Sequence, residues 1–187
     1  MQDPFFDVDF RPGDIIFTRD DSKLSRLIRK FSTSYKEDPS IASHTALVYD
    51  YGRVIESAVV TQIKTLKEFR ERNNAGISVW RADISVENAV CMQNRCLRWV
   101  GKKYPVWKLF PHVADWYLSM LQGKLFGKIT HPTFFRRLCK LNAYPICSWL
   151  VAYAYDECVK KDFFGVPVWS AQPDCIHDWC VVNGKHI

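Results

Sequence analysis

The sequence holds no run of roughly 18 apolar residues, so no segment reads as a membrane-spanning helix. The opening segment from Met1 to Asp14 carries acids at Asp3, Asp7 and Asp9 where an export signal carries basic residues, and no apolar stretch follows. The expected location is therefore the compartment of synthesis, the cytoplasm (a host cytoplasm if the source is viral). Internal repeats, low-complexity tracts and nucleic-acid-binding motifs are all missing. The net charge of +6, from 26 Lys and Arg against 20 Asp and Glu, sits in short clusters. These are Arg26, Arg29 and Lys30; Lys102 and Lys103; and Arg136, Arg137 and Lys140. Without a motif to go with it, such a charge gives no reason to expect nucleic acid as a partner. There is no C-x-x-C pair among the seven cysteines, Cys91, Cys96, Cys139, Cys147, Cys158, Cys175 and Cys180. An odd count without an export signal reads as free thiols in a reducing compartment. Cys175, His177 and Cys180 have the wrong spacing for a common zinc finger and lack a second pair, so neither metal nor other cofactor is expected.

What is present is a chain of 187 residues, 48% apolar and 14% aromatic. That is enough for one domain, 1–187, with a real core. Asp14 to Thr18 reads as a strand, and Leu24, Leu27, Ile28 and Phe31 mark a helix over 22–31, capped by Ser22 or Asp21. After a polar loop to Ser40, His44–Tyr49 and Arg53–Ala58 form a hairpin around Asp50-Tyr51-Gly52. A helical turn at Leu66–Phe69, a strand over Gly76–Arg81 and an amphipathic helix from Val86 to Gly101 follow. Residues 105–140 are aromatic and basic, cut by Pro105, Pro111 and Pro132 into expected short helices that would form an insertion or lid. The last clear helix starts near Cys147, with Leu150, Val151, Ala154 and Cys158 on its face. The tail from Val166 reads as strand and loop. Clustered rather than alternating strands indicate an α+β fold.

Three residues carry candidate chemistry. Tyr144-Pro145 puts the helix start at or just after Pro145, and so Cys147 in its first turn. There unpaired N–H groups and the helix dipole favour a thiolate. No other cysteine has so clear a helix-start context; a buried structural thiol is the alternative. A thiolate nucleophile needs a base, and of the five histidines only His44 opens a convincing strand. If Asp50-Tyr51-Gly52 is a three-residue loop with Gly52 in the left-handed region, Ala46 lies opposite Glu56. His44 and Glu56 then share a face, as diagonal neighbours about 7 to 8 Å apart. A two-residue loop would put them on opposite faces. In this pairing Glu56 would orient the imidazole; a solvent-facing strand position is its alternative reading.

Phe10-Arg11-Pro12-Gly13-Asp14-Ile15-Ile16-Phe17, Ser43-His44-Thr45-Ala46-Leu47-Val48 and Val54-Ile55-Glu56-Ser57 resemble the opening of circularly permuted NlpC-type cysteine hydrolases. Gly101-Lys102-Lys103-Tyr104 and Tyr144-Pro145-Ile146-Cys147-Ser148-Trp149-Leu150-Val151 continue the likeness in order, over about residues 10 to 175. The resemblance is to the YiiX-like branch, with lecithin:retinol acyltransferases more distant. It implies a permuted papain-like fold: a small antiparallel barrel or curled sheet packed against the helix that carries the nucleophile. It further implies Cys147 as nucleophile, His44 as base, Glu56 as orienting residue and Tyr104 as an oxyanion or substrate contact, with packing the alternative for Tyr104. The expected activity is a thiol hydrolase, an amidase or peptidase acting on a peptide or peptidoglycan stem, or on an ester, through a thioacyl enzyme. The alternatives are a lipid acyltransferase or thioesterase of the same mechanism with a lipid-like acyl substrate, and an inactive binding or virion-associated module. Trp149 departs from the acidic residue or glycine usual two positions after the cysteine, which suggests a reshaped cleft.

Overall fold

The computed structural model describes residues 3–19, 22–33, 38, 40–73, 76–127, 134, 135, 137 and 145–187. Six strands form one antiparallel, curled sheet: β1 (Ile15–Thr18), β2 (His44–Asp50), β3 (Arg53–Ser57), β4 (Thr61–Thr65), β5 (Ile77–Arg81) and β6 (Lys185–His186). Their order across the sheet is β4-β3-β2-β1-β5-β6. Six α-helices accompany it among the described residues: α1 (Lys23–Phe31), α2 (Leu66–Arg72), α3 (Val86–Leu97), α4 (Leu109–Phe126), α5 (Cys147–Cys158) and α6 (Pro173–Asn183). The α+β class is therefore as the strand clustering indicates.

Local chemistry explains most boundaries. Ser22 caps α1 by accepting from the Ser25 N–H at 3.1 Å. Thr65 and Glu68 form a reciprocal capping box at the start of α2. Gly101, at φ +82°, ends the turn after α3 in a conformation that favours glycine. The sheet is covered on both faces. Ile15, Phe17, Leu47 and Ile55 pack with Leu150, Val151 and Ala154 of α5, while Ile16, Ala46, Val48 and Val54 pack with Phe69 of α2. The Tyr155 hydroxyl donates to the Gly13 carbonyl at 2.6 Å, fixing α5 to the turn that precedes β1.

Three expectations are corrected, and one strand is added. Strand β4, Thr61-Gln62-Ile63-Lys64-Thr65, carries no strand signature because it has only one apolar residue; it is an edge strand, where polar and basic residues are the norm. Among the described residues, the segment after Pro105 forms a three-residue 3-10 turn, Val106–Lys108, and then one long helix rather than short pieces. Pro111 sits in the first turn of α4, where no N–H is needed, so the helix runs 18 residues. The tail holds α6 with Pro173 in its first turn, not strand and loop alone. Finally, not all cysteines are thiols: Cys91 and Cys158 form a disulfide that joins α3 to α5 across a Cα–Cα distance of 5.7 Å. Cys139, His131, Arg136, Lys140 and much of the expected lid lie outside the described residues.

Candidate active site

The hairpin brings His44 and Glu56 together, by a route the sequence did not show. Asp50 pairs with Arg53, so the turn has two residues, Tyr51 and Gly52, and Gly52 is not left-handed. By itself that turn would separate the two side chains. A bulge between Val48 and Asp50 inserts one extra residue, Tyr49, and restores the parity, so Ala46 lies opposite Glu56 as expected. His44 Nε2 then stands 3.0 Å from Glu56 Oε2.

Glu56 is almost fully buried, and cations hold its other oxygen. Lys64 Nζ and Arg72 Nη1 each lie 3.0 Å from Oε1. Lys64 comes from β4 and Arg72 from the end of α2, and neither is evident from the sequence until β4 is placed beside β3. Burial pushes the Glu56 carboxyl up, but His44 and Lys64 outweigh it and hold the pKa at about 2.

Cys147 is the first residue of α5, following Ile146 and Pro145. Ile146 has no side chain able to cap the helix, so the first-turn N–H groups are available to whatever faces them. The approach to the helix is pinned from the sheet: Ser57 Oγ donates to the Pro145 carbonyl at 2.9 Å. From the other side, Ser148 Oγ donates to the Ala171 carbonyl at 2.8 Å. The Cys147 sulfur meets the His44 imidazole and accepts from the backbone N–H groups of Thr45 and Ser148. With Nε2 engaged by Glu56, Nδ1 is the ring nitrogen left for sulfur. Burial disfavours the thiolate, but these partners outweigh it and lower the Cys147 pKa. The reverse holds for His44: burial opposes the imidazolium, and the Cys147 sulfur and Glu56 raise its pKa to about 10. Burial alone drives Cys180, and dominates at Cys96, pushing both thiols up to about 12.

Tyr104 joins the same group: burial and then the Cys147 sulfur push its pKa well above the ordinary value. Trp149 does not reshape the cleft. It lines neither cavity at the site, and its ring faces Lys108 Nζ at 4.1 Å and Trp99 at 5.9 Å. Cys175 corrects a further reading: it too occupies a first helical turn, that of α6, but its sulfur points to Gln172 Oε1 at 3.9 Å.

Two cavities meet at Cys147. One, about 510 Å³, is the more polar of the two, with His44, Glu56, Arg72 and Lys103 in its wall. The other, about 190 Å³, is apolar and lies between α1 and α4, with Leu27, Ile28, Phe31, Leu109 and Phe110 in its wall. Tyr104 and Val106 border both.

A curled antiparallel sheet, crossed by a helix that begins with a cysteine facing a histidine, is an arrangement consistent with the papain-like class. No protein-family model matches the sequence, and no curated protein sequence matches it. The fold does match a solved one. The chain is similar to the crystal structure of the metalloprotein YiiX from Escherichia coli O157:H7, a DUF1105 protein, with a TM-score of 0.60 at 16% identity. The match covers 96% of this chain and 97% of that one. Metal binding is a description of that protein. Among the described residues here, no three His, Cys, Asp or Glu side chains group as a metal would need, and the His44 nitrogen nearest Glu56 is engaged by it.

Proposed function

We propose that the protein is a thiol hydrolase of the circularly permuted NlpC type, with a Cys147–His44–Glu56 triad. The observation that carries the reading is the continuous line from a cation-clamped, buried carboxylate through an imidazole to a helix-start sulfur of lowered pKa. Such a line supplies a nucleophile, a proton carrier and an orienting group in the order covalent acyl transfer requires.

In this reading the Cys147 thiolate attacks a carbonyl carbon, and the C–S bond forms as the carbonyl π electrons move to oxygen. The Cys147 N–H and the Tyr104 hydroxyl hold that oxyanion. As the intermediate collapses, the carbon–leaving-group bond breaks and His44 gives its proton to the departing amine or alkoxide. Water then enters, His44 takes its proton, and hydroxide displaces the thiolate from the thioester, releasing a carboxylic acid. The apolar cavity ending on Cys147 supports a second reading, in which an acceptor other than water resolves the thioester. Product analysis with and without an acceptor lipid separates the two.

The deciding experiment is labelling with an electrophilic thiol probe at neutral pH, followed by mass-spectrometric mapping. Labelling confined to Cys147, lost in His44→Ala and accompanied by turnover of an activated ester, supports the enzyme. Equal labelling of Cys147, Cys175 and Cys180 would make it a binding module.

A further inference from the structure

Helix α4 is inside out. Apart from Pro111 in the first turn, its buried positions are polar, with Asp115 at 0% and Ser119 at 1% exposure beside His112. Its solvent positions are apolar: Phe110 is 70% exposed, Leu121 50% and Leu125 71%, and Tyr117 lies among them. At about 100° per residue, Phe110, Tyr117 and Leu121 fall close to one line with Leu125 beside it, while Asp115 and Ser119 lie opposite. A surface helix facing water has the reverse arrangement. Cations are exposed on the same two helices: Lys124 on α4, and Lys23, Arg26 and Lys30 on α1, which packs against it. The stripe runs into the active site, because Phe110 and the half-exposed Leu27 also wall the apolar cavity that ends on Cys147.

We propose that this stripe docks the protein onto an anionic lipid bilayer. Helix α4 lies along the interface, its apolar side chains among the acyl chains and the α1 cations at the headgroups. The helix is not long and apolar enough to cross the membrane. Two observations favour lipid over a protein partner. The cations complement an anionic headgroup layer, and the apolar cavity leading inward from the stripe suits a single acyl chain, which a folded surface could not enter. Docking rests on α1 and α4 alone; passage of an acyl chain to the sulfur rests also on the thiol-hydrolase reading.

The test is co-flotation of the full chain carrying Cys147→Ala, so that binding is read without turnover. Vesicles of phosphatidylcholine alone are compared with vesicles containing about 30% phosphatidylserine. The parent is expected to float with the anionic vesicles, and less as salt rises. Leu121→Glu with Leu125→Glu, both at exposed positions, is expected to cut the bound fraction about tenfold or more with the circular dichroism spectrum unchanged. Arg26→Glu with Lys124→Glu is expected to abolish the preference for anionic vesicles. The proposal fails if the parent floats with neither vesicle, or if the Leu121/Leu125 variant floats like the parent. It fails equally if that variant merely splits a dimer that never floats. The thiol-probe experiment reports on the chemistry independently, so failure of one reading is not mistaken for failure of the other.

Discussion

At the residue scale, the reactivity of Cys147 follows from a contest between burial and polarity. Burial would raise its pKa, as it does for Cys96 and Cys180; His44 and two backbone N–H groups reverse the sign. Alkylation of Cys147 is therefore expected to stay fast well below pH 8.5, where an ordinary thiol slows. In His44→Ala only the backbone N–H groups of Thr45 and Ser148 are left to oppose burial, and the pH profile of the alkylation rate should move upward. A rate profile identical in the two proteins would remove His44 from the mechanism. Glu56→Gln keeps the shape but loses the charge that sustains the imidazolium. Turnover should drop by about 10²-fold or more, measured as kcat/KM on an activated ester. In the proposed mechanism, Tyr104→Phe removes one donor from the developing oxyanion. A kcat loss of about 10-fold or more with little change in KM would separate that role from packing.

At the element scale, the decisive feature is the pairing of a short turn with a bulge. The expected left-handed Gly52 is not there, yet His44 and Glu56 still share a face because Tyr49 supplies the missing residue inside the strand. Two irregularities of one residue each leave the pattern below unchanged. The three-residue loop expected from the sequence and the observed two-residue turn with a bulge therefore place Ala46 opposite Glu56 alike. Helix α5, which begins at Cys147, is tied at both ends and between them. Pro145 is held by Ser57, Tyr155 by Gly13, and Cys158 at its far end by the disulfide to Cys91. Cys91→Ser with Cys158→Ser opens a closure spanning 67 residues of sequence. Stability should fall by about 2–4 kcal/mol in urea unfolding. Unchanged stability would mean that packing alone seats α5 on α3.

At the scale of the whole molecule, the buried Glu56 carboxylate couples the active site to global stability. Its folded pKa of about 2 lies below the ordinary 4.5, so it contributes stability above pH 4.5 that is lost as pH falls toward 2. The contribution is on the order of 3 kcal/mol. Acid unfolding of the parent should thus steepen between pH 4.5 and 2, and that part of the stability–pH curve should flatten in Glu56→Gln. If the two curves run parallel, the cation clamp on Glu56 does not stabilise the fold. The same scale governs membrane docking: a stripe on α4, cations on α1 and a cavity between them form one surface only when the two helices pack.

The sequence by itself determined the α+β class and the start of the helix at Cys147. Each of these rests on local rules: alternation in a strand, restriction before a proline, capping at a helix start. Tertiary structure alone decided what lies far apart in the chain. Lys64 and Arg72 reach Glu56 only because β4 and α2 fold back beside β3; Cys91 finds Cys158 only because α3 packs on α5. The outward face of α4 was likewise hidden, since periodicity reveals that a helix has two faces, but only packing decides which of them meets water.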